Sequence, residues 1–121
     1  MIVGLGIDIV EIDRIRKAMA NPRFVERVLT PAERAYCKNA QQVAGRWAAK
    51  EAVAKAVGLA LTWHDVEILP NELGEPTAKV ASRHLDPSRL RLKVSISHER
   101  KNAVAVAILE RIVIQAPERL I

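Results

Sequence analysis

The 121-residue sequence predicts an α+β domain: a small antiparallel sheet packed on one long central helix. Three observations predict it. Residues 42–60 are rich in Ala, Lys and Glu, the composition of a long helix. Residues 2–10, 91–98 and 103–109 alternate with the period of two that marks strands. No repeat, low-complexity tract or linker divides the chain, so residues 1–121 read as a single domain with one core.

The elements follow in order. Residues 2–10 form the first strand. Its odd positions Val3, Leu5, Ile7 and Ile9 are large and branched, so they are expected to face the core. The even positions Gly4 and Gly6 leave the other face bare up to Asp8, which gives room for a close approach. Residues 11–20 read as a short helix with Ile12, Ile15 and Met19 on one face, and Asn21-Pro22 breaks it. A second helical piece begins at Pro22. Thr30-Pro31-Ala32-Glu33 has the form of a capping box, so a third helix starts there. On a wheel of ~100° per residue, the 42–60 helix places Glu51 on a face with Ala44, Trp47, Ala48, Ala54, Lys55 and Gly58. Residues 66–69 and 77–80 read as a hairpin around the turn at Pro70–Gly74, and residues 81–87 as a short helix or loop. In the last strand Ala103, Ala105 and Ala107 make a flat face on which a helix lies closely.

Composition narrows the function classes. Net charge is +5, which favours acidic partners such as nucleic acid, phosphorylated small molecules or an acidic protein. The few aromatics, Phe24, Tyr36, Trp47 and Trp63, make a poor stacking platform for single-stranded nucleic acid, so that partner is demoted to the alternative reading. No apolar run reaches the ~18 residues of a membrane span, no signal-like start is present, and the expected location is cytoplasmic. The single Cys37 offers neither an internal disulfide nor a zinc site.

Four constellations carry candidate chemistry. Asp8 and Glu51 are two hard carboxylates suited to Mg²⁺, which takes one or two such ligands and completes its shell with water and substrate phosphate. From spacing alone the structural reading is favoured over the metal one: Asp8 as a strand-end cap or ion-pair partner, and Glu51 as a solvated helix residue. Arg46, Lys50 and Lys55 share one helix and are candidate phosphate cations. Ser95-Ile96-Ser97-His98 ends a strand before a tight turn. Ser97 and His98 face opposite ways there, so a hydrolytic triad is disfavoured and ligand hydrogen bonding or turn capping is the alternative. Arg14, Arg16, Lys17, Arg23 and Arg27 form a basic surface, either solvated or a docking patch for an acidic partner.

These residues carry a resemblance. Gly6 through Ile12 with Arg14-Ile15, Phe24 with Arg27 through Thr30 and Glu33, Arg46 through Ala52 with Lys55-Ala56 and Gly58, Trp63 with Asp65 through Glu67, Gly74 with Pro76, and Ser95 through His98 resemble, in order, the short 4'-phosphopantetheinyl transferases that act as holo-acyl-carrier-protein synthases. The resemblance covers nearly the whole chain. It implies transfer of 4'-phosphopantetheine from coenzyme A to a serine of an apo acyl carrier protein, with release of 3',5'-ADP, in fatty acid biosynthesis. It implies Mg²⁺ on Asp8 and Glu51, and Lys55 at the reacting phosphate. It puts Arg46, Lys55, Ser97 and His98 around the coenzyme, and Arg14, Arg23 and Arg27 under an acidic carrier. It also implies a cytoplasmic homotrimer with sites between subunits. The general base is left open between Glu51 and a metal-bound water. One departure is plain: after Gly58 the link Leu59-Ala60-Leu61-Thr62 is shorter and more apolar than the family's glycine-containing loop.

Overall fold

The computed structural model describes residues 1–81 and 83–113, so most of the tail 112–121 lies outside the described residues. Strand β1 (Ile2–Glu11) leads into three short helices, α1 (Ile12–Ala18), α2 (Pro22–Val28) and α3 (Pro31–Tyr36). The long helix α4 (Ala40–Val57) follows, then a 3₁₀ turn (Trp63–Asp65), the hairpin β2 (Val66–Pro70) and β3 (Pro76–Val80), and finally β4 (Leu90–His98) and β5 (Asn102–Arg111). The class is α+β, as the sequence predicts, but the strands divide into two antiparallel sheets. One is ordered β1-β5-β4 and the other is the β2-β3 pair. Between β3 and β4 the described residues form turns rather than a helix.

Local signals explain the boundaries. Asn21 caps α2 by accepting from the Arg23 amide at 3.1 Å, with Pro22 at the first helical position. Thr30 and Glu33 form the predicted capping box on α3. Caps of this kind contribute about 1 kcal/mol each. Asn39 starts α4, and Gly58 ends it at φ 75°, a left-handed conformation that glycine adopts without a Cβ penalty.

The facing of β1 is the reverse of the expectation. Leu5, Ile7 and Ile9 are 65%, 62% and 66% exposed, and Val3 is also exposed. The glycine face is the one that packs. A Cβ on Gly6 would overlap the Ala52 carbonyl oxygen, and one on Gly4 would overlap that of Ala56. Two glycines on the strand and a run of alanines on the helix let backbone meet backbone, which larger side chains would prevent. The room on that face is therefore filled by α4. The helix crosses the sheet from β4, where Gly45 packs against Ile96, to β1. Ala103, Ala105 and Ala107 of β5 are fully covered beneath it, as their pattern predicts.

A second set of contacts seats the short helices. Lys50 of α4, 2% exposed, and Glu33 of α3, 0% exposed, form an ion pair at 2.5 Å. Phe24, Trp47 and Trp63 stack in sequence, with ring centroids 5.7 and 4.5 Å apart, and join α2, α4 and the 3₁₀ turn. Asp65 accepts from the Thr62 amide at 2.9 Å and is paired with Arg83 and His84, which pins the loop after β3 to that turn.

Candidate active site

Asp8, Glu51 and Lys55 come together where β1 meets α4. Asp8 lies on the glycine face of β1, in register with Ala105 of β5. The close contact of Ala52 and Ala56 with Gly6 and Gly4 brings the helical turn from Glu51 to Lys55 onto it. The Lys55 ammonium donates to the Ile7 carbonyl at 2.9 Å and pairs with Asp8 Oδ1 at 3.3 Å. Glu51 is half-buried. Burial, and then the negative charge of Asp8, push its carboxyl above the usual range, while Lys55 acts in the opposite direction. Two carboxylates that repel one another this way are suited to a divalent cation. Among the described residues no third His, Cys, Asp or Glu completes a protein cage. That donor set fits Mg²⁺, which keeps several positions for water and substrate phosphate.

Arg46 and His98 share a second region. They line a pocket of about 230 Å³ with Tyr36, Gln41, Gln42, Gly45, Gly74, Pro76 and Ile96. The Arg46 guanidinium carbon lies 4.5 Å from the Tyr36 ring centroid, and its Nε donates to the Ile68 carbonyl at 3.4 Å. Sequence reasoning did not single out Tyr36, Gln41 or Gln42. The lone tyrosine, ten residues before an arginine that reaches it across the α3–α4 turn, carries no periodic signal.

Other predicted residues sit elsewhere. Ser97 lies on the opposite face of β4 from His98, in register with Val104, and does not line that pocket. Lys50 is not a phosphate cation as the spacing suggested. Its ammonium is buried and committed to Glu33 and to the carbonyls of Val28 and Trp63, at 2.7 and 3.0 Å. Arg14 on α1 and Arg23 and Arg27 on α2 are exposed. Arg16 and Lys17 are paired with Asp13, whereas Arg14, Arg23 and Arg27 make no ion pair among the described residues. A larger cleft of about 460 Å³ between the hairpin and β4 holds none of the predicted site residues.

The chain as a whole is similar to known proteins. The profile of the 4'-phosphopantetheinyl transferase superfamily matches residues 4–109. The chain is 46% identical to a holo-[acyl-carrier-protein] synthase of Geobacillus kaustophilus, over 93% of this chain and 92% of that protein. The crystal structure of the holo-[acyl-carrier-protein] synthase of Neisseria meningitidis superposes with a TM-score of 0.83 at 32% identity, covering 91% of this chain and 99% of that one. The Helicobacter pylori enzyme, solved in complex with coenzyme A, superposes with a TM-score of 0.81 at 32% identity, over 88% and 99% of the two chains.

Proposed function

The chain belongs to the 4'-phosphopantetheinyl transferase superfamily, and from that premise we propose that Asp8, Glu51 and Lys55 carry its reaction. It transfers 4'-phosphopantetheine from coenzyme A to a serine of an apo acyl carrier protein. The serine hydroxyl gives up its proton to a base as its oxygen bonds to the β-phosphorus, the bond from that phosphorus to the bridging oxygen breaks, and 3',5'-ADP leaves with the electron pair. The observation that carries the site assignment is the meeting of Asp8, Glu51 and Lys55 at the β1–α4 crossing.

In this reading Asp8 and Glu51 hold Mg²⁺, which supplies positive charge to the diphosphate when bound. Lys55, already within reach of Asp8, places its ammonium beside the reacting phosphate. Arg46 and His98, with the Tyr36 ring behind the guanidinium, receive the nucleotide portion of the coenzyme in their pocket. Ser97, on the outer face of the sheet, reaches coenzyme only if a neighbouring subunit forms the other wall. Arg14, Arg23 and Arg27 offer exposed positive charge to an acidic carrier.

The assembly proposed is a homotrimer. Its support is the apolar outer face, where Leu5, Ile7 and Ile9 stand in register with Ile108, Val106 and Val104. Among the described residues no helix is long and apolar enough to cross a membrane, and a cytoplasmic location remains part of the same proposal.

The test is intact-mass analysis of an apo acyl carrier protein incubated with this protein, coenzyme A and Mg²⁺, beside an EDTA control. A gain of one phosphopantetheine that EDTA abolishes is the expected result. No gain on any of several carriers would overturn the reading.

A further inference from the structure

The Lys50–Glu33 pair connects more of the molecule than an ion pair requires. Every proton of the Lys50 ammonium is used: one on Glu33 Oε1 at 2.5 Å, one on the carbonyl of Val28 at 2.7 Å and one on that of Trp63 at 3.0 Å. Val28 is the last residue of α2, so its carbonyl has no helical amide ahead of it. Glu33 in turn accepts from the Thr30 amide at 2.8 Å on Oε1 and from the Ile68 amide at 2.7 Å on Oε2. One buried pair thus ties α2, α3, the 3₁₀ turn and β2 to a single point of α4. That point is one residue from Glu51, and Trp63 lines the small pocket beside Glu51.

Stability alone is a weak reason for such a pair. Replacing a buried ion pair by uncharged groups of similar volume is often neutral or stabilising, because desolvation offsets most of the attraction. What apolar groups would not supply is a fixed register between backbone segments. Here one segment, α2, carries Arg23 and Arg27, and the other carries Glu51. Resting on the reading of those arginines as the carrier-docking surface, we propose that Lys50, acting through Glu33 and the Val28 and Trp63 carbonyls, is a positioning residue. It holds the docked carrier at a fixed distance from the phosphate site. A misplacement of about 1 Å between reacting groups lowers rates by about a hundredfold, so a loosened α2 slows transfer to a docked carrier. It does not slow transfer to an acceptor that ignores the docking surface.

The test compares wild type with Lys50→Met/Glu33→Gln. Met keeps the length of the stem, and Gln keeps an acceptor for one buried amide, so no buried charge is left unpaired. Two acceptors are used with coenzyme A and Mg²⁺: the folded apo carrier and a short serine peptide from its modified loop. The expected result is a fall of about tenfold or more in the preference for carrier over peptide, with peptide turnover and the coenzyme A dissociation constant within about twofold of wild type. A general loss of folded protein would lower both acceptors alike. In parallel, spin labels at positions 26 and 41 in a Cys37→Ser background report the α2–α4 distance, and its distribution should broaden in the double variant. An unchanged preference, or an unchanged distribution, overturns the proposal. If the double variant does not fold, Lys50→Gln/Glu33→Gln, which retains one donor of shorter reach, is measured with the same outcomes. If wild type transfers to neither acceptor, the transferase reading fails, and the spin-label distances alone decide whether the tie fixes α2.

Discussion

Asp8 and Glu51 place two negative charges where one side, β1, is held rigid and the other, α4, is packed onto it. Glu51 bears the cost of that proximity, because burial and Asp8 both favour its protonated form. The sign follows from linkage: a carboxyl whose folded-state pKa is raised above its unfolded value of 4.5 loses stability as pH rises through the window above 4.5. Glu51→Gln removes that penalty. Without added metal, its melting temperature at neutral pH should equal or exceed that of wild type, by differential scanning calorimetry. Its transfer rate should fall by about a hundredfold or more if the carboxylate holds the cation. Asp8→Asn should match it in lost activity while the fold survives by circular dichroism. Either variant retaining full activity would remove that residue from the metal site.

At the scale of elements, the β1–α4 contact depends on glycine. Gly6→Ala drives a methyl into the Ala52 carbonyl. The helix must lift, and the expected loss is about 3 kcal/mol, the upper end of ordinary overpacking. Chemical denaturation measures it, and a loss below about 0.5 kcal/mol, typical of an uncrowded surface site, would contradict the close approach. The 3₁₀ turn provides a second case. The Thr62 amide, aided by Arg83 and His84, holds the Asp65 carboxyl below the ordinary value of 3.8. A depressed carboxyl contributes stability that is present above its unfolded pKa and is lost as pH falls through the folded one. The stability gap between wild type and Asp65→Asn should therefore be widest at neutral pH and close as pH falls below 3.8. A gap constant from pH 7 to pH 2 would show that the charge contributes nothing.

Much of this scale was legible in the sequence. Asn21-Pro22, the Thr30 box and Gly58 each act through their own backbone, so local chemistry reveals them. The Lys50 role was not legible, because its partners lie 17 residues back at Glu33 and 13 residues ahead at Trp63. On a helix wheel a buried, fully bonded lysine looks the same as a phosphate-binding one.

For the whole molecule, the misreading of β1 has a physical cause. A pattern of large branched residues reports burial without saying against which chain. Val3, Leu5, Ile7 and Ile9 read as a buried face, and in this chain they are exposed. If the trimer closes over them, Leu5→Glu with Ile7→Glu should yield monomers by sedimentation velocity. The transfer rate should fall with assembly, since Ser97 lies on that outer face. A trimer that persists in the double variant would place the subunit contact elsewhere. Spacing alone favoured structural roles for Asp8 and Glu51, their pairing as metal ligands came from the resemblance, and the approach that unites them was not legible. The bare glycine face looked like room for a ligand and instead admits the helix that brings Glu51 and Lys55 to Asp8.

The aromatic stack has an optical consequence. Both tryptophans of the chain, Trp47 and Trp63, lie in it with Phe24, at the joint of α2, α4 and the 3₁₀ turn. Intrinsic fluorescence is therefore a local reporter. It records the closing of that joint during refolding, and it registers little of the outer sheet, where no indole lies. A stopped-flow trace from this protein would time the seating of the basic helices on α4. Subunit association would have to be followed by scattered light.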